Sequence, residues 1–358
     1  MIKTDRQGYR WLVWFLASSF VFYKYILEVS PGVLGKHMMA YFHTTGLGLG
    51  NLIAAYFYAY MIMQLPIGML LDRFGPKRVI SVCLFLCVLG TLLLALVPKY
   101  WLAYCARFLT GLGAAVAVLG CMKLIAIWFP RDRFAMMVGL MMTVGMLGAA
   151  SGDALVQHLL NIYQWQDLVV MVACLGAILL LIFIFVVSDS NAPLARDPRH
   201  EQIEFWQGLK AVAANKHSWI LSVYSGLMFA PISAFSGAWG VSFLHQARGY
   251  TLNMSAQMMS LIFYGFALGA PLFGWLSDRL QKRKVFLCLS SVVSVFSTWV
   301  IIYLPHIGPL MSGLTLFLFG FFISGFVVSF TMIREMHAVI FTATATGFMN
   351  AFNSVTSA

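Results

Sequence analysis

Along this chain, runs of about twenty mostly apolar residues alternate with short polar turns from one end to the other. A helix of that length rises about 30 Å, the thickness of a bilayer's hydrocarbon core. The spans read from the pattern are 11–34, 47–71, 79–97, 101–129, 134–160, 167–187, 217–245, 254–276, 285–303, 309–332 and an eleventh from about 339. The runs are continuous and lack a period of two, which argues against a transmembrane β-barrel. The first run is too long for a signal peptide and has no clear small-residue cleavage site, so it is expected to stay as a helix. The expected fold class is an all-α membrane protein.

Composition sharpens this. The chain is 61% hydrophobic and 10% charged, against roughly 25% charged in soluble domains. Seventeen Lys and Arg fall at the N-terminus and in every second loop; Lys36, Lys99 and Arg248 fall in the loops between. The positive-inside rule then places the N-terminus and the central loop in the cytoplasm, and the chain in the cytoplasmic (inner) membrane. The net charge of +11 is that topology signal. It requires no nucleic-acid partner, since no basic stripe with interleaved aromatics is present. All six cysteines lie in predicted spans, and the eight histidines are scattered. No metal-ligand spacing, phosphate-binding loop or nucleophile elbow is found, so no cofactor, metal or enzyme activity is expected.

The longest polar stretch, Ser188 to His217, divides six spans from at least five. It predicts an N-terminal bundle over 1–187, a cytoplasmic linker over 188–216 and a C-terminal bundle over 217–358. A charged cluster, "GMLLDRFGPKR" at Gly68–Arg78, follows the second span. A relative of it, "GWLSDRLQKRK" at Gly274–Lys284, follows the second span of the other half, with Asp278 lying 206 residues after Asp72. Paired repeats with a site near the membrane midplane are the architecture of secondary transporters.

These motifs resemble the major facilitator superfamily. Gly68, Asp72, Arg73, Gly75, Lys77 and Arg78 match its signature between the second and third helices, with Pro76 as a departure. The second copy keeps Gly274, Asp278, Arg279, Arg283 and Lys284 but has Gln281 in place of glycine. "RFLTGLGAA", with Arg107, Gly111, Gly113 and Ala115, matches a fourth-helix pattern. "YKYILEVSPGV", "AYFYAYMIMQLPIGMLLDRFG" and "WFPRDRFA" are similar to a bacterial branch grouped with lysosomal-dipeptide-transporter-like and phagosomal amino-acid carriers. The resemblance implies two six-helix bundles that work by alternating access. It also implies a gating role for Gly68, Asp72, Arg73, Gly75, Lys77, Arg78, Gly274, Asp278 and Arg279. Asp72 would pair with a nearby Arg and with the N-terminus of the eleventh helix. The final stretch "FTATATGFMNAFNSVTSA" has the texture of that helix, so the chain is expected to end within it and a full form to have twelve spans.

Five charges lie inside predicted spans: Lys24, Glu28, Arg107, Lys123 and Asp153. A charge at membrane depth is costly and faces a partner or a wet cavity. Lys24 and Glu28 are four apart on one helix face, with Tyr25 adjacent. They read either as a self-neutralised pair or as a substrate anchor (Lys24) beside a proton-titrating acid (Glu28). Arg107 reads as a ligand or a cavity-edge charge, Lys123 as a ligand or a snorkelling side chain, and Asp153 as a second acid or a packing residue. "FAPISAFSGAWG", with Pro231, reads as a bend in the seventh span. The cationic balance points to an anionic or zwitterionic small molecule: an amino acid, short peptide or organic acid. The expected activity is secondary transport coupled to protons by a monomer. The alternative is a transporter-like sensor without net transport.

Overall fold

The computed structural model describes residues 6–160, 162–188, 206–232, 235, 240–304 and 308–357, without the side chains at 6, 7, 153–155, 157, 242, 252, 253, 256, 339 and 357. Asp153 is among the latter, and most of the central linker and of the 233–239 bend also lie outside the described residues. Among the described residues every regular element is helical. The elements are α1 (Arg6–Tyr41), α2 (Gly46–Phe74), α3 (Pro76–Leu96), α4 (Tyr100–Ala114), α5 (Val116–Trp128), α6 (Phe134–Leu159), α7 (Trp165–Val186), α8 (Gln207–Ala214), α9 (Lys216–Pro231), α10 (Gly240–Arg248), α11 (Leu252–Leu280), α12 (Arg283–Tyr303), α13 (Pro309–Ile323), α14 (Val328–Glu335) and α15 (Thr342–Ser357).

Nine spans among the described residues are long and apolar enough to cross a membrane. Three of them join more than one element, Arg131–Gly152 by a 3-10 turn at Arg131–Arg133 that leads into α6. α4 and α5 join at Ala115, whose backbone stays helical (φ −58°, ψ −28°), so Tyr100–Trp128 runs as one span. A 3-10 turn at Ser324–Val327 joins α13 to α14 in the same way. Large apolar side chains such as Phe185 and Leu310 are almost wholly exposed, as expected where lipid is the solvent.

The turn between α2 and α3 shows how sequence sets the local structure. Gly75 has φ 82° and ψ 155°, a region open almost only to glycine. Pro76 then opens α3 at its first position, where its missing N–H costs nothing. At the matching turn Gln281 has φ 54° and ψ 22°, the left-handed helical region that non-glycine residues can enter at modest cost. The glycine is therefore dispensable in the second copy and required in the first. Gly75→Ala should destabilise the protein by about 1–3 kcal/mol. A thermal melt of the detergent-solubilised variant checks this, and an unchanged midpoint would contradict it.

The chain forms two compact units. The first contains Met1–Phe129, Leu147–Lys210 and Val339–Gly347; the second contains Pro130–Met146, Ala211–Ala338 and Phe348–Ala358. In the first, α3 packs on α4 and α7, α2 on α4, and α1 on α5. In the second, α11 and α12 both pack on α13. A ring cluster of Phe273, Phe286, Phe321 and Phe322 joins these three helices. Each unit thus includes a short piece of chain from the other half of the sequence.

Candidate functional site

In the first unit, one turn of α1 carries Lys24 and Glu28, which form an ion pair with side chains 5% and 22% exposed. The spacing of four residues brings both to one face. α2 supplies aromatic walls from the same kind of spacing: Tyr56 and Tyr60 lie one turn apart with their rings stacked 6.1 Å between centroids. The Lys24 ammonium sits 3.8 Å from the Tyr25 ring centroid and 5.1 Å from that of Tyr60. The Tyr56 hydroxyl donates to Glu28 Oε2 at 3.5 Å. This cage holds a cation by its ring faces and leaves the carboxylate as the more accessible partner.

Arg107 of α4 completes the cluster. Its guanidinium lies 4.9 Å from the Tyr56 ring centroid, and its Nη1 donates to the backbone carbonyl of Leu27 at 3.0 Å. The residue is 2% exposed, and its Nε and Nη2 have no hydrogen-bond partner among the described residues. Arg107 also borders a cavity of about 20 Å³ with Leu27, Ser30, Pro31, Thr91 and Thr110 in its wall. That volume suits a water-sized molecule and is far below what an organic acid needs.

Lys123 lies elsewhere in the unit. Its Nζ donates to Asp72 Oδ1 at 2.7 Å and to the carbonyl of Ile340 at 3.3 Å. Asp72, 3% exposed, also accepts from the backbone N–H groups of Ala343 (3.2 Å) and Thr344 (2.8 Å) and from the Thr344 hydroxyl (2.6 Å). A carboxylate here meets the free N–H groups and positive dipole end of α15. The cation at Asp72 is thus a lysine of α5, where the resemblance implies an arginine. Gly68 lets the backbones meet: a Cβ there would lie 2.6 Å from the Ala343 carbonyl oxygen. Of the other motif residues, Arg73 and Arg78 are exposed, and Arg73 lies against its neighbour Phe74.

The second unit repeats the device with fewer contacts. Asp278 accepts from the Met136 N–H at 2.9 Å and from Arg283 Nη1 at 2.8 Å, at the start of α6. Arg283 also reaches Glu335 at 3.0 Å. A Cβ at Gly274 would stand 2.3 Å from the Ala135 carbonyl oxygen, matching Gly68. Arg279 is exposed and lies against Trp275.

Residues 11–358 match the profile of the Major Facilitator Superfamily. The chain belongs to that superfamily. This major facilitator chain is a multi-pass membrane protein of a transporter family, not of an enzyme family. Among relatives, it is 26% identical over 302 residues to the uncharacterized transporter YybO of Bacillus subtilis, covering 78% of this chain and 68% of the relative. It is 24% identical over 272 residues to the probable sulfoacetate transporter SauU of Cupriavidus necator, covering 73% and 63%. It is 24% identical over 302 residues to the probable galactarate/D-glucarate transporter GudP of Bacillus subtilis, covering 76% and 66%. Its matched region thus spans about two thirds of the length of these curated relatives. Among solved structures, the proton:xylose symporter XylE superposes with TM-score 0.73 at 14% identity, covering 98% of this chain and 87% of that one. The fucose transporter FucP superposes with TM-score 0.71 at 15% identity, covering 96% and 90%. These two establish the fold alone.

The structure brings together Lys24, Tyr25, Glu28 and Arg107, and sets Lys123 with Asp72. Tyr56 and Tyr60 were missed by the reading of charges. Their signal was present in "AYFYAYMIM", where tyrosines recur at helical spacing. Thr344 carried no signal, because its role depends on a residue 272 positions away.

Proposed function

We propose that this major facilitator protein moves a small organic anion across the cytoplasmic membrane by alternating access, driven by protons. The observation that supports it best is Arg107. Lys24 is balanced by Glu28, and Lys123 by Asp72. Arg107 is buried with two donor groups unused and no carboxylate bound to it among the described residues. A guanidinium kept there at several kcal/mol of desolvation finds its natural counter-charge in a carboxylate or sulfonate, which it holds through charge-assisted hydrogen bonds. The names of the relatives, a probable sulfoacetate and a probable galactarate/D-glucarate transporter, point the same way. They favour an organic acid over the amino acids or peptides implied by the likeness to dipeptide carriers.

Uptake into proteoliposomes of D-glucarate, galactarate, sulfoacetate, amino acids and dipeptides, with and without an inward proton gradient, tests this. Gradient-driven accumulation of one of the acids is expected. Accumulation of amino acids or dipeptides alone would overturn the substrate class. Binding of an acid without any accumulation would support the sensor reading.

The orientation follows from the charge pattern. Single cysteines placed at Lys99 and Arg248 should react with an impermeant thiol reagent added outside cells, and one at Lys282 should not. Outside labelling at Lys282 would reverse the topology.

A further inference from the structure

We infer that Pro31 is a positioning residue for Arg107, and so for the anion; this rests on the anion reading above. Pro31 lies inside α1 and has no N–H. Proline in a helix leaves the carbonyl four residues earlier without its partner. That carbonyl is Leu27, which is buried, and it is the one that Arg107 Nη1 takes at 3.0 Å. The bond thus exists because the proline vacated its place.

The second unit shows what such a carbonyl requires. Pro271 in α11 frees the carbonyl of Ala267. There the hydroxyl of Thr143 donates to it at 2.6 Å. A neutral single donor is enough to satisfy the group. In the first unit an arginine does the same task, with its charge buried and two donor nitrogens left over. Capping the carbonyl does not account for those two groups. One bond through Nη1 and the Tyr56 ring, 4.9 Å from the guanidinium carbon, hold the fork from two sides. Nε and Nη2 are thereby held ready before the anion arrives, and a preordered donor pair binds with less loss of side-chain freedom.

Pro31→Ala restores an N–H at position 31, which competes for the Leu27 carbonyl and releases Arg107. The variant keeps the helix, since alanine is the better helix former. Two measurements decide the matter. The first is a double-mutant cycle on melting temperature with Pro31→Ala and Arg107→Met, which needs no substrate. Arg107→Met should be more harmful by about 2–4 °C when Pro31 is present than when it is alanine. The second is uptake of D-glucarate and sulfoacetate by the full chain in proteoliposomes. Pro31→Ala should raise KM about five- to tenfold with kcat changed little, because orientation is lost before binding and not during the transport step. Additive melting shifts would overturn the inference. So would coupled shifts with an unchanged KM, which would make the bond a helix brace only. Absence of wild-type uptake of both anions would sink the anion reading instead, and the melting cycle would still decide whether Pro31 sets the Arg107 bond.

Discussion

Lys24→Ala is expected to abolish uptake, with a loss of at least about 100-fold in kcat/KM. Hydrogen bonds to charged groups contribute about 1.5–3 kcal/mol each, and Lys24 is proposed to make one or two of them to the anion. The geometry around it explains the proposed coupling. In the structure the Lys24 ammonium is engaged by Glu28 and lies near the Tyr25 and Tyr60 rings. An ionised Glu28 therefore competes with an incoming anion for the same cation. Protonating Glu28 frees Lys24, so proton and anion bind with positive linkage, as symport requires. Glu28→Gln imitates the protonated state. It should keep binding and counterflow exchange and lose accumulation on a proton gradient. Uptake and exchange across a pH gradient measure both variants. Should Glu28→Gln still concentrate the anion on that gradient, the coupling acid lies elsewhere, and Asp153 is the next to replace.

Asp72→Asn should slow transport by about tenfold or more while leaving anion binding intact. Asp72 takes four donors, including the buried ammonium of Lys123. Asparagine keeps the size but not the charge, and breaking one partner of a buried ion pair costs about 3–5 kcal/mol. The segment Val339–Gly347 loses its anchor as a result. A cysteine in place of Ala343, which is fully buried, reports this directly: it should react with thiol reagents faster in the Asp72→Asn background. Unchanged transport and unchanged reactivity would reduce the motif to a topology determinant. Asp278→Asn should act in the same direction and less strongly, because Asp278 is held by Arg283 and by backbone N–H groups at the start of α6, without the side-chain hydroxyl that Thr344 adds at Asp72. Arg283 would still retain Glu335 as a counter-charge.

Much of the site was legible because helical spacing is local. Lys24 and Glu28 face the same way from their separation of four, and Tyr56 and Tyr60 do so for the same reason. The partner of Lys123 was not legible. A lysine near a span's end reads equally as a ligand or a snorkelling cation, and the choice depends on Asp72, 51 positions away. Gln281 stands in place of the motif's glycine, and only the structure shows why that is tolerated: its backbone is left-handed helical, whereas Gly75 occupies a region open almost only to glycine.

By itself, the sequence determined the helical membrane class, the separation of the chain into spans and the superfamily. Bilayer thickness and helix rise convert composition directly into spans, and the charged turns are short motifs read within one stretch of chain. Tertiary structure decided which buried charges are balanced and which is left over. It set Lys123 against Asp72, gave the Leu27 carbonyl to Arg107, and left two guanidinium nitrogens without a partner among the described residues. Charge balance in a low-dielectric interior depends on distances of a few ångströms between helices remote in sequence, and no periodicity along the chain encodes those distances.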